Sequence, residues 1–342
     1  VNAEKDVEKD VEKNKDELSG VRIAVTGAGG FIGGRVVERL ALGTRAEVRP
    51  LVRGFGRASR LSALPQDRLA FRIAELGRTD ALRAAFEDCE VVVHCAFGSE
   101  GTVEERWAAT VDGTANVLAA ARAAGVRRVV HLSTVDVYAP AEGDFDETAA
   151  ARPADPADRE YEQQKLAAEE LVLRAGDGGP DVVVLQPGVV YGPWGGQWTT
   201  AQLRRPAADY AVLPSGGDGG VCNAVYVDDV ADAVLAACHR PGAAGRRILL
   251  AGRERITWGR FFDCFRAIRA LDPAAADAAA ADVPDWEAEL YRSGARIASD
   301  RAARLLGTRC ATTLREGMDL TDAWAQWAGL GAKRLTAAGA GG

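Results

Sequence analysis

Two residues in the stretch YEQQKLAAEELVLRAG, Tyr161 and Lys165, stand four apart on a run that reads as helix, so both leave it on one face. When hydride is added to or removed from a carbon bearing oxygen, a proton must move on that oxygen, and a phenol can give or take it. A free phenol, with a pKa of about 10, is a poor base at neutral pH, and a nearby ammonium lowers that value. Tyr161 and Lys165 are therefore candidates for proton transfer and for its tuning. A Tyr-x-x-x-Lys pair alone more often marks a solvated helix face, so it needs context.

VTGAGGFIGGR supplies it. Glycines stand at 27, 30 and 33, after the first apolar run and ahead of a helical stripe. A phosphate needs bare backbone N–H donors and room to approach, and a strand turning sharply into a helix offers both where side chains are missing. Gly27 is expected to permit the turn, Gly30 to admit a pyrophosphate and Gly33 to let the helix lie close to the sheet. Ile32 stands where the third glycine of G-x-G-x-x-G would fall, so the spacing is G-x-x-G-x-x-G. The strand before, the helix after and the βα units that follow meet the context a dinucleotide fingerprint requires.

The positioning elements are legible as apolar runs alternating with amphipathic helices. VRIAVTG, EVRPLVRG, LAFRIAEL, EVVVHCAF, RRVVHLST and DVVVLQPGVVYGP read as six strands. FIGGRVVERLAL, DALRAAFED, the long stretch TVEERWAATVDGTANVLAAARAAGV and YEQQKLAAEELVLRAG read as helices between them. This predicts an α/β protein: a Rossmann-type, doubly wound parallel sheet covered on both faces, with a smaller C-terminal mixed α/β substrate domain. The rhythm changes after Pro193, and a dinucleotide-binding domain is expected over 20–187 with mainly substrate-binding chain over 188–330. Residues 1–19 form a charged near-repeat expected to be disordered or frayed helix, DPAAADAAAADVPD a mobile loop or weak helix, and 331–342 a flexible tail.

Composition narrows the classes. With 342 residues, 47% hydrophobic and 27% charged, the chain is that of an ordinary globular protein. A net charge of −7 without any basic stripe argues against nucleic acid as partner. No apolar run is long enough for a membrane span, and no signal pattern opens the chain, so a cytoplasmic protein is expected. Six scattered cysteines without a C-x-x-C pair and three histidines predict no disulfide framework and no metal site.

TGAGGFIG resembles the opening of the extended short-chain dehydrogenase/reductases, the NAD-dependent epimerase/dehydratase family. VVVHCAF, VDGTANVL, LSTVDVY, Tyr161-x-x-x-Lys165, LQPGVVYGP and VYVDDVADA follow in the family's order, so the resemblance covers about 21–330. It implies a small-molecule substrate and a homodimer built through the helices near 103–123 and 161–175. In the family a hydroxyl lies three residues before the valine of the VY pair; counting back from Val137 gives Thr134, beside Ser133. The resemblance implies that Thr134 orients the substrate oxygen, Tyr161 transfers the proton, and Lys165 tunes the phenol and holds the nicotinamide ribose.

After strand two a carboxylate would bind the adenosine ribose of NAD and repel a 2′-phosphate. The chain instead reads LVRGFGRASR, with Arg53 at the strand end and Arg57 and Arg60 nearby. A guanidinium matches a phosphate bidentately, so NADP is preferred over NAD. Cofactor contacts are expected from Gly27, Gly30, Phe31, Ile32, Gly33 and Arg53, then from Glu75, Leu76, Ala96, Lys165, Pro187 and Val190. Phe97, Asp136, Tyr191 and Trp194 are expected to face substrate, although Trp194 and Trp198 suit packing between the domains equally well. His94 reads as a strand-end residue near the cofactor and not as a base.

The departures from the family bear on substrate. Family dehydratases carry Asp-Glu directly after the threonine, whereas Val135-Asp136 follows Thr134 here. Enzymes of nucleotide sugars tend to carry Asn before VYGP and Arg a few residues ahead of V-x-D. This chain has Gly188 in PGVVYGP and Cys222 in VCNAVYVDD, with Asn223, Arg204 or Arg205 as candidate substitutes. The expected activity is interconversion of a ketone and a secondary alcohol on a small organic molecule. The alternative is an epimerase of a sugar or nucleotide sugar that oxidises and re-reduces one carbon with tightly bound NAD. A cofactor-sensing protein without catalysis is disfavoured by the presence of Thr134, Tyr161 and Lys165.

Overall fold

The computed structural model describes residues 17–139, 142–152, 160–271 and 283–331. Strand and helix alternate in the first half: β1 (Arg22–Thr26), α1 (Phe31–Gly43), β2 (Glu47–Val52), β3 (Arg72–Ile73), α2 (Thr79–Phe86), β4 (Val91–His94), α3 (Val103–Trp107), α4 (Gly113–Ala123), β5 (Arg128–Leu132), β6 (Asp144–Phe145), α5 (Glu160–Ala175) and β7 (Asp181–Pro187). The second half holds β8 (Val189–Tyr191), α6 (Ala201–Arg204), β9 (Val221–Cys222), β10 (Ala224–Tyr226), α7 (Val227–His239), β11 (Arg246–Leu250), β12 (Ile256–Thr257), α8 (Trp258–Ile268), α9 (Asp285–Arg292), β13 (Arg296–Ile297), α10 (Asp300–Leu306) and α11 (Leu314–Trp327).

Seven parallel strands form one sheet in the order β11-β7-β5-β4-β1-β2-β3. Their apolar runs are buried on both faces: Ile23 and Val25 belong to one core with Val36, Val37 and Leu40, while Ala24, Val92 and Val129 belong to a second with Leu82, Val117 and Val172. Such strands need helices on both sides, which is why they read as continuous β-branched runs. Strand order reverses between β1 and β4, and a ligand crevice lies outside the carboxyl ends of the strands at such a point. The Rossmann-type expectation holds.

Three details differ from the sequence reading. LAFRIAEL yields a strand of just two residues, both exposed, because β3 is the last strand and has no neighbour beyond it. The long helix over 103–123 is interrupted by a π turn at Ala108–Asp112. The division at 187 is crossed: β11, from RRILLAG, pairs with β7 as the other edge of the main sheet. Ile248, Leu249 and Leu250 are fully buried there. α7 also covers α1, with Arg35 on Asp228 and Arg39 on Asp232. The readings on residues 1–16, on 332–342 and on most of DPAAADAAAADVPD fall outside the described residues.

No described helix is long and apolar enough to cross a membrane. Among the described residues no cluster of His, Cys, Asp and Glu is placed to hold a metal ion.

Candidate active site

β1 ends at Thr26, and the chain then reverses through Gly27 at φ +67°, a left-handed conformation that side chains rarely adopt. A Cβ on Gly27 would stand 2.8 Å from the Ala96 nitrogen, since the chain leaving β4 passes directly against this turn. The Gly30 amide donates to the Gly27 carbonyl at 2.9 Å, closing the turn. Gly33 is the tightest point: a Cβ there would lie 2.3 Å from the Gly27 oxygen. The first turn of α1 therefore rests on the backbone of the strand end, and no side chain caps its amino terminus. Bare amides, a helix N-terminus and no side chains in the way are what a pyrophosphate requires. The residues present thus fit a dinucleotide, with Phe31 and Ile32, both half-buried, contributing the next amides.

Two sheet positions further on, at the end of β5, the catalytic candidates converge. Lys165 is buried on α5, and its Nζ donates to the Leu132 carbonyl at 2.9 Å, at the end of β5. Burial is the main cause that lowers its pKa to about 8, with Cys95 and Glu169 acting against it. Tyr161, one turn earlier, packs edge-on against Phe97, with ring centroids 6.0 Å apart. Lys165 Nζ lies 4.9 Å from the Phe97 ring centre and 6.0 Å from that of Tyr161. Thr134, next after Ser133 at the end of β5, faces the Tyr161 phenol, and its side chain favours the ionised form. Thr134, Tyr161, Lys165 and Phe97 are therefore brought together at one edge.

The tuning differs from the sequence expectation. Tyr161 is 41% exposed as a residue, yet its phenol is held above the ordinary value. Burial is the leading cause and the Asp136 carboxylate the next, while the Thr134 side chain acts in the opposite sense. Lys165 does not lower it here, because the ammonium is directed at the Leu132 carbonyl.

Beneath this edge lies a polar row that the sequence reading did not identify. Thr26, His94 and His131 stand side by side in register on β1, β4 and β5. His94 Nδ1 is 2.7 Å from the Thr26 hydroxyl and its Nε2 is 3.0 Å from that of Thr114. Thr114 already donates to the Thr110 carbonyl, so it can only accept from His94. The proton of His94 is thereby assigned to Nε2, and Thr26 donates to Nδ1. Burial, with Lys165 second, lowers the His94 pKa to about 3, so the ring is neutral. His131, with its ring 5.2 Å from that of His94, is likewise held well below the ordinary value by burial. A signal was present: both histidines occupy the polar place near the end of an apolar strand run, in VVVHCAF and RRVVHLST.

The other expected residues divide. Ala96 lies against Gly27, and its amide points at the Thr26 hydroxyl at 3.4 Å. Arg53 is at the end of β2, largely exposed, with a long 3.5 Å contact to Glu100. Glu75 is exposed, while Leu76 is half-buried against Gly113 and accepts from Asn116. Pro187 and Val190 are buried at the end of β7 and in β8. Asp136 accepts from Thr134 at 3.0 Å, inside the site.

Two expected substrate residues are elsewhere. Tyr191 is 2% exposed in a core with Tyr226 and Phe261, because β8 runs beneath the C-terminal helices. Trp194 packs at a tilt on Trp324 and edge-on to Trp327 of α11, which places it at the junction of the two parts. Trp198 packs on Trp258. Arg60 is not available to a phosphate. It grips both carboxylate oxygens of Glu38, at 2.5 and 2.7 Å, and lies over the Trp194 ring. The Arg57 side chain lies outside what is described. Gln164, in the place before Lys165, is buried and donates to Glu160, which Arg106 also holds.

The fold and the bare glycine turn are those of the dinucleotide-binding Rossmann-like enzymes, with Thr134, Tyr161 and Lys165 gathered at the carboxyl end of the sheet. The model of the NAD dependent epimerase/dehydratase family matches residues 23–251, and the chain belongs to that family, among the extended short-chain dehydrogenase/reductases. It is 32% identical to a UDP-glucose 4-epimerase of Mycolicibacterium smegmatis over 322 residues, covering 88% of this chain and 97% of that one. It is 33% identical to cinnamoyl-CoA reductase 1 of Petunia hybrida over 251 residues, covering 67% of this chain and 72% of that one. In fold it is similar to the dTDP-glucose 4,6-dehydratase DesIV of Streptomyces venezuelae, solved with NAD and TYD bound. That match has a TM-score of 0.74 at 23% identity and covers 90% of this chain and 97% of that one.

Proposed function

We propose that the protein is an NADP(H)-dependent oxidoreductase that interconverts a ketone and a secondary alcohol on a small organic molecule. The observation that carries this reading is the convergence of Thr134, Tyr161 and Lys165 at the carboxyl end of β5, two strands from the bare glycine turn. A bound nicotinamide coenzyme supplies or receives the hydride. Tyr161 holds the proton that moves to or from the substrate oxygen, Thr134 orients that oxygen, and Lys165 is placed to hold the nicotinamide ribose. Phe97, exposed beside Tyr161, gives the substrate an apolar wall. Arg53, standing where a ribose-binding carboxylate would favour NAD, supports NADP as the coenzyme.

Dehydration is not supported, since Val135 replaces the first acid of the Asp-Glu pair. A nucleotide-sugar substrate also lacks its usual partners. Val189, directly before Val190-Tyr191-Gly192-Pro193, is apolar and buried. Asn223 spends its amide on Ala295 and Ile297, and Arg205 is paired with Glu287. A diphosphate without such partners forgoes hydrogen bonds of roughly 1.5–3 kcal/mol each. A second reading, epimerisation with tightly bound NAD, is favoured by the match to the mycobacterial UDP-glucose 4-epimerase along nearly its whole length. Pairing of two copies through α4 and α5 belongs to either reading.

The experiment is to follow NADPH and NADH absorbance against a panel of small ketones and against UDP-sugars. Net coenzyme consumption, lost by at least a thousandfold in Tyr161→Phe and shifted toward NADH in Arg53→Ala, is the expected result. Epimerised UDP-sugar without net absorbance change would replace this reading with the second.

A further inference from the structure

We propose that the protein carries an anion site at the amino edge of its sheet, built for the phosphoryl group of a small molecule and separate from the coenzyme turn. The site is independent of the proposed oxidoreductase activity.

It is a hollow of about 230 Å³ lined by Gly242, Arg246, Arg301, Arg304 and Leu305. Arg246 opens β11, Gly242 lies in the Pro241–Ala243 turn just before that strand, and α10 brings the other three. Arg301, Arg304 and Leu305 are spaced i, i+3, i+4, so one face of α10 presents two guanidinium groups and an apolar contact. β11 runs parallel to β7, with Arg246 opposite Val183 and Leu250 opposite Pro187. Four steps of about 3.3 Å put the hollow about 13 Å from the carboxyl end of the sheet, where the glycine turn and Tyr161 lie.

The three arginines divide into one fixed and two free. Arg301 Nε is 3.2 Å from Glu147 Oε2, and its Nη1 donates to the Arg247 carbonyl at 3.2 Å. Glu147 is buried and accepts from the Leu249 amide at 2.9 Å. This ion pair serves the outer edge of β11 in place of a further strand, and Arg301 cannot leave it without stranding a buried carboxylate. Arg246 and Arg304 are exposed, and neither side chain has a hydrogen bond or ion pair among the described residues. Of the nearby acids, Glu147 is committed to Arg301. Asp146 is committed to the amide and hydroxyl of Thr148, at 2.9 and 2.6 Å, with Arg301 and Arg304 acting on it less strongly.

The class of ligand follows from the donors. A guanidinium fork meets phosphate oxygens two at a time, and a dianion answers more than one fork. The hollow is smaller than the roughly 300–1,000 Å³ of sites that enclose a drug-sized ligand. It therefore admits one phosphoryl group, with the rest of the molecule lying outward along Leu305. A bound dianion ties α10 to the edge strand β11 and stabilises the fold by mass action.

The test is calorimetric titration of the full chain without coenzyme, using inorganic phosphate and glycerol phosphate at constant ionic strength, beside thermal melts. Saturable binding is expected, with a rise of about 2 °C or more in Tm at a hundredfold excess over Kd. Arg246→Gln and Arg304→Gln should each weaken it by about tenfold, the loss of one charge-assisted contact. Both variants should melt like the wild type without phosphate and keep its NADPH affinity. If one variant does not fold, the other carries the test. Tighter binding of the ester identifies a phosphorylated metabolite as the occupant, and tighter binding of phosphate identifies the free ion. No saturable binding, or binding of equal strength in the variants, as an ion on the glycine turn would give, overturns the proposal. Failure of NADPH binding or of ketone turnover would instead strike the proposed function and leave this site standing.

Discussion

Replacing Gly33 by alanine puts one methyl group where the structure leaves no room. The new Cβ would stand 2.3 Å from the Gly27 oxygen and 2.8 Å from its carbonyl carbon, about 1 Å inside ordinary contact. Both are backbone atoms, so no side chain can rotate away, and α1 must move off the end of β1. Alanine would gain about 1 kcal/mol over glycine in a helix, whereas overpacking costs about 1–3 kcal/mol and more where backbone must shift. A net loss of about 1–2 kcal/mol follows, seen as a fall of a few degrees in Tm. The larger effect falls on the coenzyme, since the shift displaces the amides of the first turn. Losing even one charge-assisted hydrogen bond to a phosphate, about 1.5–3 kcal/mol, weakens binding by about tenfold or more. Gly43, at the other end of the same helix, meets nothing within 4 Å, so Gly43→Ala controls for propensity alone. Calorimetric titration with NADPH and NADH, beside thermal melts, measures both quantities. Gly33→Ala binding and melting like the wild type would refute the argument that this glycine is held by close approach.

Two further outcomes follow from the site's surroundings. Arg60→Ala should destabilise the fold by about 2 kcal/mol in urea, because it strips the half-buried Glu38 carboxylate of its two-pronged partner and leaves it Arg35 alone. Arg60→Lys should recover less than half of that, and a selective loss of NADPH affinity at full stability would return Arg60 to the phosphate. His94 has a folded pKa of about 3 against 6.5 when unfolded. The unfolded chain therefore binds more protons between those values, and stability falls as pH falls below 6.5. The slope reaches about 1.4 kcal/mol per pH unit for this one site. His94→Gln should flatten the acid limb of a stability-against-pH curve, and an unaltered limb would show that the ring is already charged in the folded protein.

The sheet was legible because each of its long strands is buried on both faces and so writes an unbroken β-branched run. The glycine turn was legible for a local reason, since Gly27 takes a left-handed φ and Gly33 rests on the backbone of Gly27, a few residues before it. β3 was overread because an edge strand needs few apolar residues to pair, and LAFRIAEL carries more than it uses. The thirty-eight glycines and scattered arginines held less information. Nothing in GRASR says that Arg60 turns back onto Glu38, one helix earlier, while Arg53 stays in solvent. Tyr191 reads as a pocket residue and is a core residue, because the chain that buries it, α8 and α11, follows far downstream. The same distance hid the fate of Trp194. For Tyr161 and Lys165 the four-residue spacing indicated a shared face, and the family resemblance added Thr134, but that the Thr134 hydroxyl donates to Asp136 is a fact of geometry.

The return of β11 to the edge of the main sheet, with α7 lying over α1, has a bearing on how such a chain can diversify. A gene spliced just after Pro187 would hand its new partner a sheet with an open flank and an uncovered helix, both sticky. Recombination at that seam is therefore penalised, and novelty in what the enzyme accepts must accumulate through insertions and drift in the segments between β7, α7 and β11 and beyond.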